Sequence, residues 1–364
     1  MDQDICPPDR PAQGSTPQIR ENFSFNKMLT SLGASYAFNS FVVAERTPHK
    51  KAASQMDVIL HVGAHRTGST SFQHYMRANR ATLDGAGIGF WGPWRTRKGV
   101  LDGLTDTPAT PAEARRRAGR VQMNLRSAEK RGLGALVVSD ENLIGTPRRC
   151  VRAGALYPEI GLRMARVAAG FAPVTRVNLQ IRSLDMWWAS ALAFLVPRGM
   201  PLPTEAKLEA LANASRSWRH VITDLACACP GADITVTVFE RFADRPEALF
   251  EAITGQSGPE SQPGAFWANR CPDLAALRTC LAERGEDPAQ LPGEGRWQPF
   301  DFTQAARLRE AYADDLFWLR AGADGLATLT ETAASDRPGT NLGKDLQARG
   351  QRHDRPARRL APTR

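Results

Sequence analysis

The segment His61-Val-Gly-Ala-His-Arg-Thr-Gly-Ser-Thr-Ser-Phe-Gln73 constrains this chain most, because it leads from a strand into a helix through two glycines separated by four residues. Just upstream, Met56-Asp-Val-Ile-Leu-His-Val is a short apolar run of the kind that makes a buried strand. Gly63 and Gly68 permit a tight backbone path, so successive N–H groups point inward and the positive end of the following helix faces whatever anion sits there. This is the pattern of a phosphate cradle. A nucleoside-triphosphate loop also needs Lys directly after the second glycine, and Ser69 stands at that position. The cation comes two residues before Gly68, as Arg66.

The rest of the chain fits an α/β fold around that segment. Short apolar runs at Asp57–Val62, Ala135–Ser139, Arg176–Ile181 and Ile234–Phe239 alternate with helical patterns at Ser69–Asn79, Glu113–Arg131, Leu184–Phe194, Glu205–Asn213, Ser217–Cys227, Pro246–Thr254, Leu274–Glu283 and Thr303–Leu319. The expectation is a three-layer α/β fold of the P-loop type, a central parallel sheet flanked by helices, with a helical C-terminal region. The 364 residues, 42% of them apolar, suffice for a large core. Residues 1–55 are mixed and weakly periodic and read as a disordered extension. Residues 56–330 form the α/β domain, and residues 331–364 read as a disordered basic tail. Gly92 to Pro111, rich in Pro, Gly and Thr, reads as an irregular loop at the carboxyl edge of the sheet, where it either contacts an acceptor or simply connects two elements.

The apolar runs are too short to span a membrane, and the start lacks the basic-then-apolar pattern of a secretory signal, so a cytoplasmic setting is expected. Six cysteines show neither a dense disulfide framework nor paired zinc spacing; Cys227 and Cys229 read as free thiols, and no metal is expected. A net charge of +9 favours anionic partners without choosing among them. The run Arg115, Arg116, Arg117, Arg120, Arg126, Lys130 and Arg131 reads as a solvated helix face. Specific nucleic-acid binding is not expected, since no recognised module or aromatic interleaving accompanies the basic runs.

Arg66 followed by the Ser69 and Thr70 hydroxyls resembles the 5′-phosphosulfate loop of sulfotransferases that use 3′-phosphoadenosine-5′-phosphosulfate (PAPS), where the pattern is close to Lys-x-Gly-Thr-Thr. Here Arg replaces the usual Lys, which keeps the charge and changes the donor geometry. The segment Arg182-Ser-Leu-Asp-Met-Trp-Trp-Ala-Ser190 resembles the family's 3′-phosphate anchor, an Arg at a strand end with a Ser eight residues on. The stretch from Ile234 to Gly255 resembles the family's late strand, acidic turn and helix, with Glu240 structural. Together the likeness covers residues 56–255 and is nearest to divergent bacterial sulfotransferase-like proteins. It implies a P-loop fold and PAPS as co-substrate, with Gly63, Arg66, Thr67, Gly68, Ser69 and Thr70 around the 5′-phosphosulfate. It implies Arg182 and Ser190 on the 3′-phosphate, Arg66 neutralising charge on the leaving oxygen, and an acceptor hydroxyl or amine on a small molecule or glycan.

Such a transfer needs a base beside the loop. Strand Ala135–Ser139 runs into Asp140-Glu141-Asn142, and Glu141 is the first candidate; Asp140 is an alternative, the pair also suits a helix cap, and His65 inside the loop can accept a proton or simply hydrogen-bond locally. Two other functions suit the same features. One is a nucleotide-dependent kinase or ATPase, which the position of Ser69 opposes; the other is a non-catalytic module that binds polyanions or nucleotides. Trp187 and Trp188 read as core aromatics rather than an adenine platform.

Overall fold

The computed structural model describes residues 56–331. The expected extension and basic tail therefore lie outside the described residues. Six strands form one sheet: β1 (Asp57–His61), β2 (Ile88–Trp91), β3 (Ala135–Ser139), β4 (Arg176–Ile181), β5 (Asp233–Val238) and β6 (Thr328–Thr330). Their order is β2-β3-β1-β4-β5-β6, and every neighbouring pair is parallel. The α/β class with a parallel sheet flanked by helices is what the chain adopts. No described helix is long and apolar enough to cross a membrane.

The eleven helices used below are α1 (Ser69–Ala78), α2 (Arg80–Gly85), α3 (Pro111–Lys130), α4 (Pro147–Ala153), α5 (Ile160–Phe171), α6 (Leu184–Leu195), α7 (Glu205–Ala212), α8 (Trp218–Ala228), α9 (Pro246–Thr254), α10 (Leu274–Glu283) and α11 (Phe302–Arg320). Side-chain caps start several of them: Thr110 before α3, Asp273 before α10, and a reciprocal Asp301–Gln304 box before α11. Strand alternation divides the core. Val58, Leu60, Val177, Leu179, Val236 and Val238 pack into the larger cluster on one face, and Ile59 and Val137 join Phe72, Leu249 and Phe250 in the smaller cluster on the other.

Three expectations need correction. Gly92 to Pro111 is not irregular from its start: Pro93–Arg95 make a helical turn, the Thr96 hydroxyl and the Arg97 guanidinium are tied to Asp140, and the backbone leaves helical geometry only at Lys98 and Gly99. The basic face of α3 is only partly solvated. Arg117 donates to the carbonyls of Gly103 and Asp106, and Arg120 to those of Val100 and Asp102, so both lash the preceding turn to the helix. Phe239 leaves β5 and opens a helical turn, Phe239–Phe242. The C-terminal region also adds a short parallel edge strand, β6, to its helices.

β1 lies in the middle of the sheet, between β3 and β4, so the chain crosses over it in passing from one side to the other. That reversal opens a crevice at the carboxyl ends of the strands, which is where open α/β sheets take ligands. The loop after β1, the turn after β3, the start of α6 after β4 and the turn after β5 all meet there.

Candidate functional site

The loop between β1 and α1 has the backbone its glycines foretell. Gly63 has φ +37° and Gly68 φ +86°. A side chain at Gly63 would strike Ser69 Oγ, since a Cβ there lies only 2.5 Å from it and 3.4 Å from His61 Nε2. Gly68 precedes α1 without supplying a capping side chain, and the first turn carries no acidic residue. The helix thus presents unneutralised N–H groups and the positive end of its dipole to the loop. Arg66 itself has φ +66°, an uncommon conformation for a side chain of that size.

What holds that conformation is a set of contacts from α6 and its flanks. The Trp187 indole donates to the His65 carbonyl at 2.8 Å, and Arg182 Nη1 donates to the Arg66 carbonyl at 3.0 Å. Arg66 Nε in turn donates to Ser190 Oγ at 3.1 Å. Arg66, Arg182 and Ser190, spread over 124 positions between the first and last, therefore form one connected unit. Arg182 also lies over the Phe239 ring, 4.4 Å from its centroid, and its own carbonyl accepts from the Trp218 indole at 2.7 Å. Burial lowers the pKa of Arg66, and burial together with nearby Arg296 draws Arg182 down to about 10. Both stay protonated at neutral pH; among the described residues neither forms a salt bridge, and the nearby Glu240 favours the charged form of Arg182.

Three buried polar atoms beside this unit have no partner: His61 Nε2, Ser69 Oγ and Arg182 Nε. Orphaned buried donors are rare and costly, and these three flank the loop. His61 Nδ1 lies 2.8 Å from Ser139 Oγ, which accepts from the Gln73 amide at 3.2 Å. In the tautomer in which Ser139 donates to Nδ1, Nε2–H is a donor near Gly63. Burial pulls the His61 pKa down to about 4, so the ring is neutral. Orphaned polar atoms, a cradle that a Cβ would fill and two guanidiniums without a salt bridge among the described residues fit a bound phosphate-bearing group.

The remaining loop residues divide. The Thr67 hydroxyl is turned to the Ala64 carbonyl, so only its backbone is free for a ligand. Thr70 Oγ1 accepts from the Asn269 amide at 2.9 Å. His65 has both ring nitrogens engaged: Nδ1 with Tyr157 OH at 3.0 Å and Nε2 with Asn142 Oδ1 at 3.0 Å. Burial lowers its pKa, so it is a neutral, locally bonded ring. Tyr157 and Asn142 were not foreseen, and nothing in their spacing marks them.

At the end of β3 the two carboxylates take different parts. Asp140 is buried and accepts from Thr96 Oγ1, Arg97 and the Asn142 N–H, which makes it the cap and tether of this edge. Glu141 faces a cleft. Its Oε2 accepts from the Gln73 amide at 3.0 Å and its Oε1 from Arg97 Nη2 at 2.8 Å. Burial pushes its pKa up, but His65, Arg97, a backbone hydrogen bond and Gln73 together outweigh that and hold the carboxyl below its usual range. Arg97 and Gln73 are neighbours of Glu141 that were not named from the sequence, although Arg97 falls in the Gly92 to Pro111 segment, for which acceptor contact and a plain connection were both open. Glu240 accepts from the Ser183 N–H at 3.0 Å and from Tyr312 OH at 3.3 Å, bracing the start of α6, which is the structural part expected of it.

The cleft in front of Glu141 has a volume of about 650 Å³ and reaches the loop at His65 and Thr70. Phe194 joins the two regions: it lines the cleft, and the Arg66 guanidinium lies 5.0 Å from its ring centroid. Trp187 and Trp188 are fully buried core aromatics, as expected. No family model matches this sequence, and no curated protein matches it either.

Proposed function

We propose that this protein is a PAPS-dependent sulfotransferase. The observation that carries the reading is the convergence of Arg66, Arg182 and Ser190 at the mouth of an uncapped loop whose flanking donors lack partners. In this reading the loop N–H groups, Ser69 Oγ and His61 Nε2–H hold the 5′-phosphate, with Gly63 and Gly68 giving it room. Arg182 holds the 3′-phosphate, and Ser190 positions Arg66 through its Nε.

The reaction breaks the bond between the sulfuryl sulfur and the bridging oxygen of the 5′-phosphosulfate. A new bond forms from that sulfur to an acceptor oxygen or nitrogen. Arg66 neutralises the charge that develops on the departing oxygen, a pre-oriented electrostatic contribution in a partly water-excluded site. Glu141, ionised at neutral pH, takes the acceptor proton from the cleft side. The products are the sulfated acceptor and adenosine 3′,5′-bisphosphate.

The test is calorimetric titration of the full chain with adenosine 3′,5′-bisphosphate against ATP, each with and without magnesium. Binding of the bisphosphate alone supports the reading. ATP binding strengthened by magnesium replaces it with a kinase or ATPase, and silence with both leaves a non-catalytic module.

A further inference from the structure

The cleft in front of Glu141 carries more positive charge than the chemistry just described requires. Four guanidiniums line it, those of Arg77, Arg97, Arg148 and Arg198, against a single carboxylate, Glu141. Arg97 is accounted for by its pairs with Asp140 and Glu141. The other three meet no carboxylate among the described residues. Arg77 ends α1 and lies over the ring of Trp94, 5.4 Å from its centroid. Arg198 lies 3.6 Å from the Phe194 centroid and donates to the Phe194 carbonyl, and Arg148 donates to the carbonyl of Arg198. A guanidinium has five N–H donors, so each of these keeps several free while being held in place by an aromatic ring or a carbonyl.

The three come from separate elements: Arg77 from α1, Arg148 from α4 and Arg198 from the turn that follows α6. All three border one concavity that opens on the loop at His65 and Thr70. The rest of the lining mixes polar side chains such as Thr70, His74, Asn142 and Asn269 with apolar ones, Pro93, Pro147, Phe194 and Leu195, beside the half-exposed indole of Trp94. A neutral apolar acceptor would leave this charge unmatched and would have to displace its hydration.

We propose that the cleft selects an acceptor carrying its own negative charge, a hydroxyl-bearing acid of the sugar-acid kind, with its carboxylate on Arg77 and Arg148 and a hydroxyl turned toward Glu141. This rests on the sulfuryl-transfer reading only for calling the ligand an acceptor; the anion selectivity is a property of the cleft itself. Arg198 sets the inner limit of the site beside Phe194, next to Arg66.

The experiment uses a matched pair, 4-nitrophenyl β-D-glucuronide and 4-nitrophenyl β-D-glucoside, which differ only by a carboxylate in place of a hydroxymethyl group. Each is titrated into the full chain with and without adenosine 3′,5′-bisphosphate. Two charge-assisted contacts at a partly exposed site predict roughly tenfold tighter binding of the glucuronide. The preference should shrink as salt rises from about 0.05 to 0.5 M, because exposed charges are screened over that range. It should fall to within about twofold in Arg77→Ala/Arg148→Ala and largely survive in Arg77→Lys/Arg148→Lys, which keeps the charge. Equal binding of the two glycosides, no binding of either, or a preference that the double Ala variant retains would overturn the proposal. The bisphosphate arm reads the other claim separately. Glucuronide preference without bisphosphate binding removes sulfuryl transfer and keeps the anion-selective cleft, while the reverse keeps the transfer reading and removes this one.

Discussion

Glu141 shows how one residue's chemistry is set by its neighbours. Burial alone would raise its pKa, and Arg97 at 2.8 Å is among the groups that reverse the sign. A base held this way is ionised at every pH near neutrality, at the expense of proton affinity. Arg97→Met removes a cation and leaves burial less opposed, so the Glu141 pKa should rise. Carbon-detected NMR titration of glutamate carboxyls, with Glu141→Gln to assign the signal, reads this directly. The acid limb of turnover should move to higher pH in the same variant: at pH 5 its rate should fall several-fold relative to the parent, with little change at pH 8. An unmoved titration would mean that Arg97 serves only Asp140. Gly63 makes a second residue-level case. Its positive φ and the 2.5 Å approach of Ser69 Oγ make Gly63→Ala strained and crowded at once. That variant should lose about 1–3 kcal/mol of stability in denaturant melts and bind adenosine 3′,5′-bisphosphate at least tenfold more weakly.

At the scale of elements, α6 is the strut on which the loop leans, through Trp187 to the His65 carbonyl and Ser190 to Arg66. Ser190→Ala leaves the partly buried Arg66 Nε without that partner, which costs about 0.5–1.5 kcal/mol with water competing for the donor. Bisphosphate affinity should drop about tenfold in that variant, as calorimetry would register, while Ser190→Thr should recover most of it. The sequence announced the strut because Arg182 and Ser190 flank the buried aromatic stretch that makes α6, and the loop because its glycines are separated by a spacing that few structures other than an anion cradle use. Strands β1, β3, β4 and β5 were equally legible as apolar runs between helical patterns. β2, with Gly89 in only four residues, and β6, with three threonine-rich residues at the edge, carry too little pattern to be read. α5 went unread for a different reason: it has glycines at positions 161 and 170 and no side-chain cap, so its stability comes from burial of Ile160, Met164, Val167 and Phe171 rather than from local signals. The hydrogen-bond partners of His65 and Glu141 come from residues brought near by the sheet alone, and no spacing encodes that.

For the molecule as a whole, the polar groups beneath the loop link site and stability. His61 ends the central strand, is fully buried and stays neutral because burial holds its pKa near 4. In the unfolded chain the same ring titrates near 6.5. Below that value the unfolded state binds a proton that the folded state refuses, so the stabilising difference is complete above about pH 6.5 and is lost as pH falls toward 4. The difference amounts to about 3 kcal/mol, a large share of the stability of an ordinary domain. His65, whose pKa burial also lowers, contributes with the same sign. Urea melts of the parent chain should therefore show a steep decline in unfolding free energy between pH 6.5 and 4. His61→Gln should begin less stable at pH 7.5, having lost the bond to Ser139, and decline less over the same interval. Parallel slopes for the two proteins would mean that His61 opens to water and takes its proton in the folded state. A bound anion beside His61 Nε2 would then change the slope as well, since a phosphate favours the protonated ring: bisphosphate should flatten the acid decline of the parent and leave that of His61→Gln unchanged.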